Sequence, residues 1–531
     1  MYDFVIVGAG SAGCVLAARL SEDPDARVLL LEAGGSDDRP EVRIPAVFSR
    51  LFHTDADWDY HTTPQPAAAG RQLYWPRGRV LGGSSSINAM IYIRGNRADY
   101  DGWAAAGCEG WGYADVLPAF KKSEDNVRGA GPYHGAGGPL RVEDPASPSP
   151  VSEAFIEAAE DRGHARNEDF NGAEQAGAGL YQLTQKGGRR ASASAAFLTP
   201  ARRRTNLTVW TDALAHRVVI ENGRAVGVDL VHHGEPVTVR AEREVIVCGG
   251  SVNSPQLLML SGIGPAEHLR EHGIDVVADR AEVGENLHDH LIAGLHYALT
   301  SPVSLLNAET LGNALRYLVG GRGMLTSNIA EAGLFASTDG GAVPDIQFHV
   351  APVHFFDHAQ TLPTEHGFSI GPTLVRPQSR GRLTLASGDP TAAPHIDPAA
   401  LREQADVDAL VGGLQMARAI AEAAPLDGLR GRSLEPGPAS FSRAGLEAYA
   451  RETCETLYHP VGTCRMGADD ASVVDLDLRV RGVEGLRVVD ASIMPTIPNG
   501  NTNAPTIMIA ERAAERILAD RTTRLRASEP A

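Results

Sequence analysis

The 531-residue chain exceeds a single ordinary hydrophobic core, so two domains are expected. A formal charge of −18 argues against nucleic acid and anionic membrane surfaces as partners, and no run of about 18 or more apolar residues offers an integral membrane segment. The five cysteines form no CxxC pair, which argues against a disulfide framework and a zinc site. No basic and then apolar leader precedes the early FVIVGAG, so a cytoplasmic protein is expected.

In chain order, YDFVIVGAGSAGCVLAARLSE reads as a buried strand, a glycine turn and a helix, and ARVLLLEAGG as a second strand ending at Glu32. Gly8, Gly10 and Gly13 form GxGxxG, and Glu32 follows 19 positions after Gly13. The glycines allow a tight turn, close approach of the backbone to a pyrophosphate and close helix–strand packing. Free N–H groups at the helix start would hold the phosphates, with Glu32 accepting from the ribose hydroxyls. A nicotinamide enzyme would fit this unit equally well.

RGRVLGGSSSINAMIYIRG (77–95) is too glycine-rich for a plain strand. It suits a loop whose N–H groups approach a planar cofactor, with Asn88 adding an amide, or else a Gly/Ser surface loop. Residues 205–250 alternate in period two with turns at Asn222–Gly223 and His233–Gly234, a β-meander returning to the buried strand EVIVCGG. Residues 296–440 mix helical and strand patterns with no glycine fingerprint, as expected of a second, substrate-facing domain. GLRVVDASIMP (485–495) is again a buried-strand pattern, and 504–520 an amphipathic helix with Pro505 in its first turn.

GRVLGGSSSINAMIYIRG and GGSVNSPQLLMLSGIG resemble the two signature motifs of the glucose-methanol-choline (GMC) oxidoreductases. VGENLHDH (283–290), YHPVGTCRMG (458–467) and VVDASIMPTIPNGNTNAPTIMIAE also match the family pattern, so the resemblance runs from Tyr2 to about Leu518. It implies an α/β fold: a Rossmann-like FAD-binding domain from discontinuous segments (1–155, 190–295 and 452–531), and an α+β substrate domain on a mixed or antiparallel sheet (156–189 and 296–451). FAD is the implied hydride acceptor, and one dinucleotide fingerprint with no second glycine motif agrees with this. The implied FAD site comprises Gly8, Gly10, Ser11, Ala12 and Gly13 with Glu32 and Ala33, then Gly82, Gly83, Ser84, Asn88 and Ile91 of the first signature. Val218 of the meander, Asp490 and Ala491, and Asn501 and Thr502 complete it.

The resemblance also implies the chemistry. His459 of YHP would take the hydroxyl proton of an alcohol as general base while hydride passes to flavin N5. Asn503, 44 positions on, would hydrogen-bond the same oxygen, although it could instead cap the helix. That helix would aim its N-terminus at the pyrimidine end of the ring and stabilise the charge of reduced flavin. Where some members tether FAD through a histidine, this chain has Ile87, so non-covalent FAD is expected. HDH (288–290) resembles a metal cluster, but neighbouring residues rarely converge on one ion and no metal is expected.

A small-molecule alcohol is thus the expected substrate, with O₂ or a quinone-type carrier reoxidising the flavin. Motifs are nearest bacterial choline and alcohol dehydrogenases; a choline site would need aromatics and a carboxylate, for which Glu331 and His354–Phe356 are candidates. Hydroxynitrile lyases of the same family, or a flavin protein without activity, are the alternatives. The light-driven decarboxylases rely on a cysteine in the substrate domain, and none lies between Cys248 and Cys454.

Overall fold

The computed structural model describes residues 1–361 and 363–528, the side chains of 520–528 excepted. Strand β1 (Tyr2–Val7) runs parallel to β2 (Val28–Leu31), with α1 (Ser11–Leu20) as the crossover. Their unbroken apolar runs suit a parallel sheet covered on both faces. The chain then leaves this sheet. Helix Pro150–Asp161 and strand β3 (Gly177–Leu180) pack with a second sheet.

It returns as β4 (Leu207–Trp210), parallel to β2, and the expected meander follows: β5 (Ala213–Glu221), β6 (Arg224–His232) and β7 (Glu235–Val247). At both hairpins the two turn residues have positive φ, the backbone twist that two-residue hairpins require. The far half of β7 enters the centre beside β1, giving the order β4-β2-β1-β7-β6-β5. Helix α2 (Gly250–Leu260) starts directly beyond β7.

The second sheet is antiparallel at every pairing. Its main strands are β8 (Leu295–Leu299), β9 (Ala332–Ala336), β10 (Ile346–Ala351), β11 (Gly367–Leu374) and β12 (Arg430–Glu435), in the order β12-β8-β11-β10-β9-β3, and the two-residue strands Leu291–Ile292 and Glu455–Thr456 join it beside β11. Helix α3 (Gln404–Ala421) buries Val407, Leu410, Leu414 and Ala417 against it. Each sheet has its own apolar core.

The last stretch rejoins the first sheet. The strand expected over 485–495 is only β13 (Leu486–Val488), parallel to β7, because Asp490 breaks it by capping the short turn Ala491–Ile493. Helix α4 (Asn503–Ser528) runs past the expected Asp520. It packs on α1, where Arg19 bonds to the fully buried carboxylate of Glu511 at 2.7 Å. Among the described residues no helix is long and apolar enough to cross a membrane.

Candidate active site

The carboxyl ends of β1, β2 and β7 open on a cavity of about 830 Å³ that the second sheet closes from the other side. Crevices beyond the carboxyl ends of parallel strands are where such folds bind ligands. Gly8 has φ +101°, and Gly13 lies so close beneath it that an added Cβ would sit 1.9 Å from the Gly8 carbonyl oxygen. At Gly10 a Cβ would meet nothing within 4 Å. The turn is thus packed hard below and open above.

Glu32 ties the turn together: its carboxylate accepts from the N–H groups of Ala9 and Gly34, both at 2.9 Å. Burial pushes its pKa up to about 7 against those two hydrogen bonds. The first signature folds onto the same place as a short 3-10 turn, Gly83–Ser86. Gly82 donates its N–H to the Ala9 carbonyl at 2.7 Å, and a Cβ on Gly83 would lie 2.7 Å from Gly10 Cα. Arg190, which sequence reasoning missed, holds this loop from behind by donating to the Ser85 carbonyl and Asn88 Oδ1. Asp490 accepts from Gly250 N–H, Ser254 and Ser492 N–H, joining the start of α2 to the last segment.

His459 lines this cavity. Its backbone N–H donates to Asp289 Oδ1 at 2.7 Å, and the His290 N–H donates to the same oxygen at 2.8 Å. Thr456 supplies the other carboxylate oxygen with a hydroxyl. His459 Nδ1 lies 3.0 Å from His290 Nδ1, with the rings nearly perpendicular, and its Nε2 lies 3.2 Å from Asn501 Nδ2. Burial holds the His459 pKa well below the ordinary imidazole range, and His290, His349 and Arg77 add to that. Burial likewise pushes Asp289 up to about 6 and His290 down to about 3. The site therefore presents a neutral imidazole, able to accept a proton.

Most of the expected site residues meet here. Gly8, Gly10, Ser11, Ala12, Glu32, Ala33, Gly83, Ser84, Asn88, Ile91, Asp490, Ala491, Asn501, Thr502, Asn503 and His459 all line the cavity. Gly13 and Gly82 sit behind it. Val218 does not line it: the meander reaches the wall with Ala213–Ala215, whereas Val218 lies past a bulge with its N–H on Ser261 Oγ at 2.8 Å. Asn503 begins α4, and its Oδ1 accepts from Ser11 Oγ at 2.6 Å; the amide beside His459 is that of Asn501.

Glu331, a candidate carboxylate for a cationic substrate, is turned away from the cavity. It accepts from Ser149 N–H, Ser152 and Ser327 at 2.5–2.8 Å, because burial leaves it no solvent partner. Phe355 and Phe356 do line the wall, as do Glu435 and Asp357. His288 is locked by backbone groups on either side of its ring, the Asn286 carbonyl at Nδ1 and the Ile497 N–H at Nε2. The HDH triplet thus supplies a structural histidine and two groups that hold His459.

The residues present fit FAD. Open space at Gly10 and Gly250, at the starts of α1 and α2, suits a pyrophosphate and ring beside backbone N–H groups, and the first turn of α4 lines the same cavity. Models described as GMC oxidoreductase match residues 2–292 and 377–510. The chain is 48% identical over 524 residues to an uncharacterized GMC-type oxidoreductase of Mycobacterium tuberculosis, spanning 97% of this chain and 99% of the relative. It is 46% identical over 528 residues to an alcohol dehydrogenase [acceptor] of Pseudomonas putida, spanning 98% and 96%. The solved structure of pyridoxine 4-oxidase from Mesorbium loti superposes with a TM-score of 0.90 at 35% identity, over 98% of this chain and 99% of that one.

Fold, cavity and matches together define an FAD-dependent oxidoreductase. The chain belongs to the GMC oxidoreductase family.

Proposed function

We propose that the protein oxidises a small-molecule alcohol to an aldehyde or ketone, with His459 as the general base. The observation that carries this reading is a buried imidazole in the wall of the cofactor cavity, clamped through its backbone and both ring nitrogens. His459 Nε2 would take the hydroxyl proton in the place where Asn501 now meets it. Bound FAD would supply the acceptor for the hydride that leaves the carbinol carbon. Asn501 and Asn503, two residues apart at the head of α4, would hold the substrate oxygen and the cofactor side of the pocket respectively.

Several finer points follow from the same residues. Ile87 is buried beside the signature turn and offers no nucleophile, which supports non-covalent FAD. The wall formed by Ile329, Ala330, Phe355 and Phe356 favours an alcohol with an apolar body. O₂ or a quinone-type carrier would take the electrons onward. Five buried free thiols suit the reducing cytoplasm.

The test is anaerobic visible absorbance of the holoenzyme, mixed in turn with aliphatic, aromatic, sugar and amino alcohols. Bleaching by one class is expected; a yellow colour that survives every alcohol would overturn the reading. His459→Ala should keep its flavin and lose about 10²-fold or more in kcat, and near-full turnover would reduce His459 to packing.

A further inference from the structure

We propose that His290 is a positioning residue that keeps the His459 proton on Nδ1, leaving the Nε2 lone pair turned towards the cavity. The catalytic meaning of that tautomer rests on His459 being the base, as proposed above. His290 itself is fully buried and does not line the cavity, so it acts through His459 alone.

The direction of each hydrogen bond follows from one end of the chain. Phe348 on β10 stands opposite Pro372 on β11, and proline brings no N–H to the ladder. Tyr181 supplies the missing donor: its hydroxyl bonds to the Phe348 carbonyl at 2.6 Å. With its one proton committed there, Tyr181 can only accept from Gln347, 3.1 Å away, so the facing amide atom must be Nε2. The second Nε2 proton points at Asn501 Oδ1, also at 3.1 Å. This orientation holds although Gln347 Oε1 then has no hydrogen-bond partner among the described residues.

Asn501 is thereby turned so that its NH₂ faces His459 Nε2 at 3.2 Å. A donor aimed at an imidazole nitrogen requires that nitrogen to be unprotonated. The neutral ring therefore carries its proton on Nδ1, and Nδ1 donates to His290 Nδ1 at 3.0 Å. His290 must in turn hold its own proton on Nε2.

The choice of a neutral acceptor has a chemical consequence. A carboxylate in this place would also select the tautomer, but it would favour the charged imidazolium before substrate arrives. A second imidazole selects the tautomer while leaving His459 neutral. When the alcohol proton reaches Nε2, the Nδ1–H bond to His290 is already made. Asp289 keeps the two rings in register by holding both backbone N–H groups on one oxygen.

The test is ¹⁵N NMR of the histidine-labelled holoenzyme, with His459 assigned from His459→Gln, compared with steady-state kinetics. The wild type should show a single His459 tautomer, protonated on Nδ1. His290→Leu should mix the tautomers and lower kcat on the order of 10-fold, with KM and flavin content unchanged. His290→Asn places an oxygen acceptor near the Nδ1 position and should recover both. A His290→Leu enzyme that keeps the single tautomer, or a His290→Asn enzyme that loses as much as the leucine variant, overturns the proposal. Should the leucine variant not fold, His290→Phe also removes the acceptor facing His459 Nδ1 while filling the same space, and is read in its place. It too should mix the tautomers, and an unchanged signal overturns the proposal. An enzyme that no alcohol bleaches would sink the oxidation reading instead, while the tautomer signals would still decide the role of His290.

Discussion

Replacing Asp289 by Asn should leave the folded protein more stable at pH 8, although it removes the charge that three hydrogen bonds surround. Burial raises the Asp289 pKa from its ordinary 3.8 to about 6, and this balance already includes the bonds from His290, His459 and Thr456 and the attraction of Arg77. Between those two values the folded state binds a proton that the unfolded state has given up. Stability therefore falls as pH rises through this window and stays reduced above it. At about 1.4 kcal/mol per pH unit, the ionised carboxylate costs about 3 kcal/mol at pH 8 relative to its protonated form. Asparagine is close in shape to that protonated acid and keeps one oxygen for the two backbone N–H groups. Urea denaturation of the holoenzymes should show Asp289→Asn more stable by up to about 3 kcal/mol at pH 8, with the gap closing near pH 4. A variant less stable than wild type at pH 8, or a gap that ignores pH, would refute the reasoning.

Two glycines of one motif should fail differently. Gly13→Ala drives a methyl to 1.9 Å from the Gly8 carbonyl oxygen and should cost at least about 1–3 kcal/mol, seen as a lower unfolding midpoint. Gly10→Ala points into open space, so the fold should survive while the ratio of flavin to protein absorbance drops; full flavin content would show that Gly10 does not face the cofactor. Glu331→Ala should leave three buried donors unpartnered, lowering stability by about 1–3 kcal/mol per group at most, while KM for every alcohol stays put. A KM rise confined to cationic alcohols would instead place Glu331 at the substrate. Denaturation followed by filtration should release a yellow solute, and flavin retained with the polypeptide would mean a covalent link.

How much of this was readable beforehand depends on the range of the forces involved. The turn at Gly8–Gly13, the strand before it, Glu32 after it and the two hairpins of the meander are set by neighbours in sequence. Positive φ, apolar runs and period-two alternation act over a few residues, and the structure shows all of them where the sequence places them. The signature loop and the head of α4 were legible through their resemblance to a family, and they do line one cavity.

The amide beside His459 was not legible. Asn501 and Asn503 are two residues apart, and only contacts with Gln347 and with Ser11, 154 and 492 positions away, decide which faces which partner. Glu331 looked like a substrate carboxylate until packing brought three serine-residue donors around it. HDH could not announce that Asp289 and His290 hold a histidine some 170 positions later. Sequence by itself determined the first strand–turn–helix unit and the hairpins of the meander, because local backbone geometry and hydrophobic period determine those. Only the tertiary structure decided proton positions and hydrogen-bond partners, because a buried polar group must satisfy itself with whatever the fold brings near.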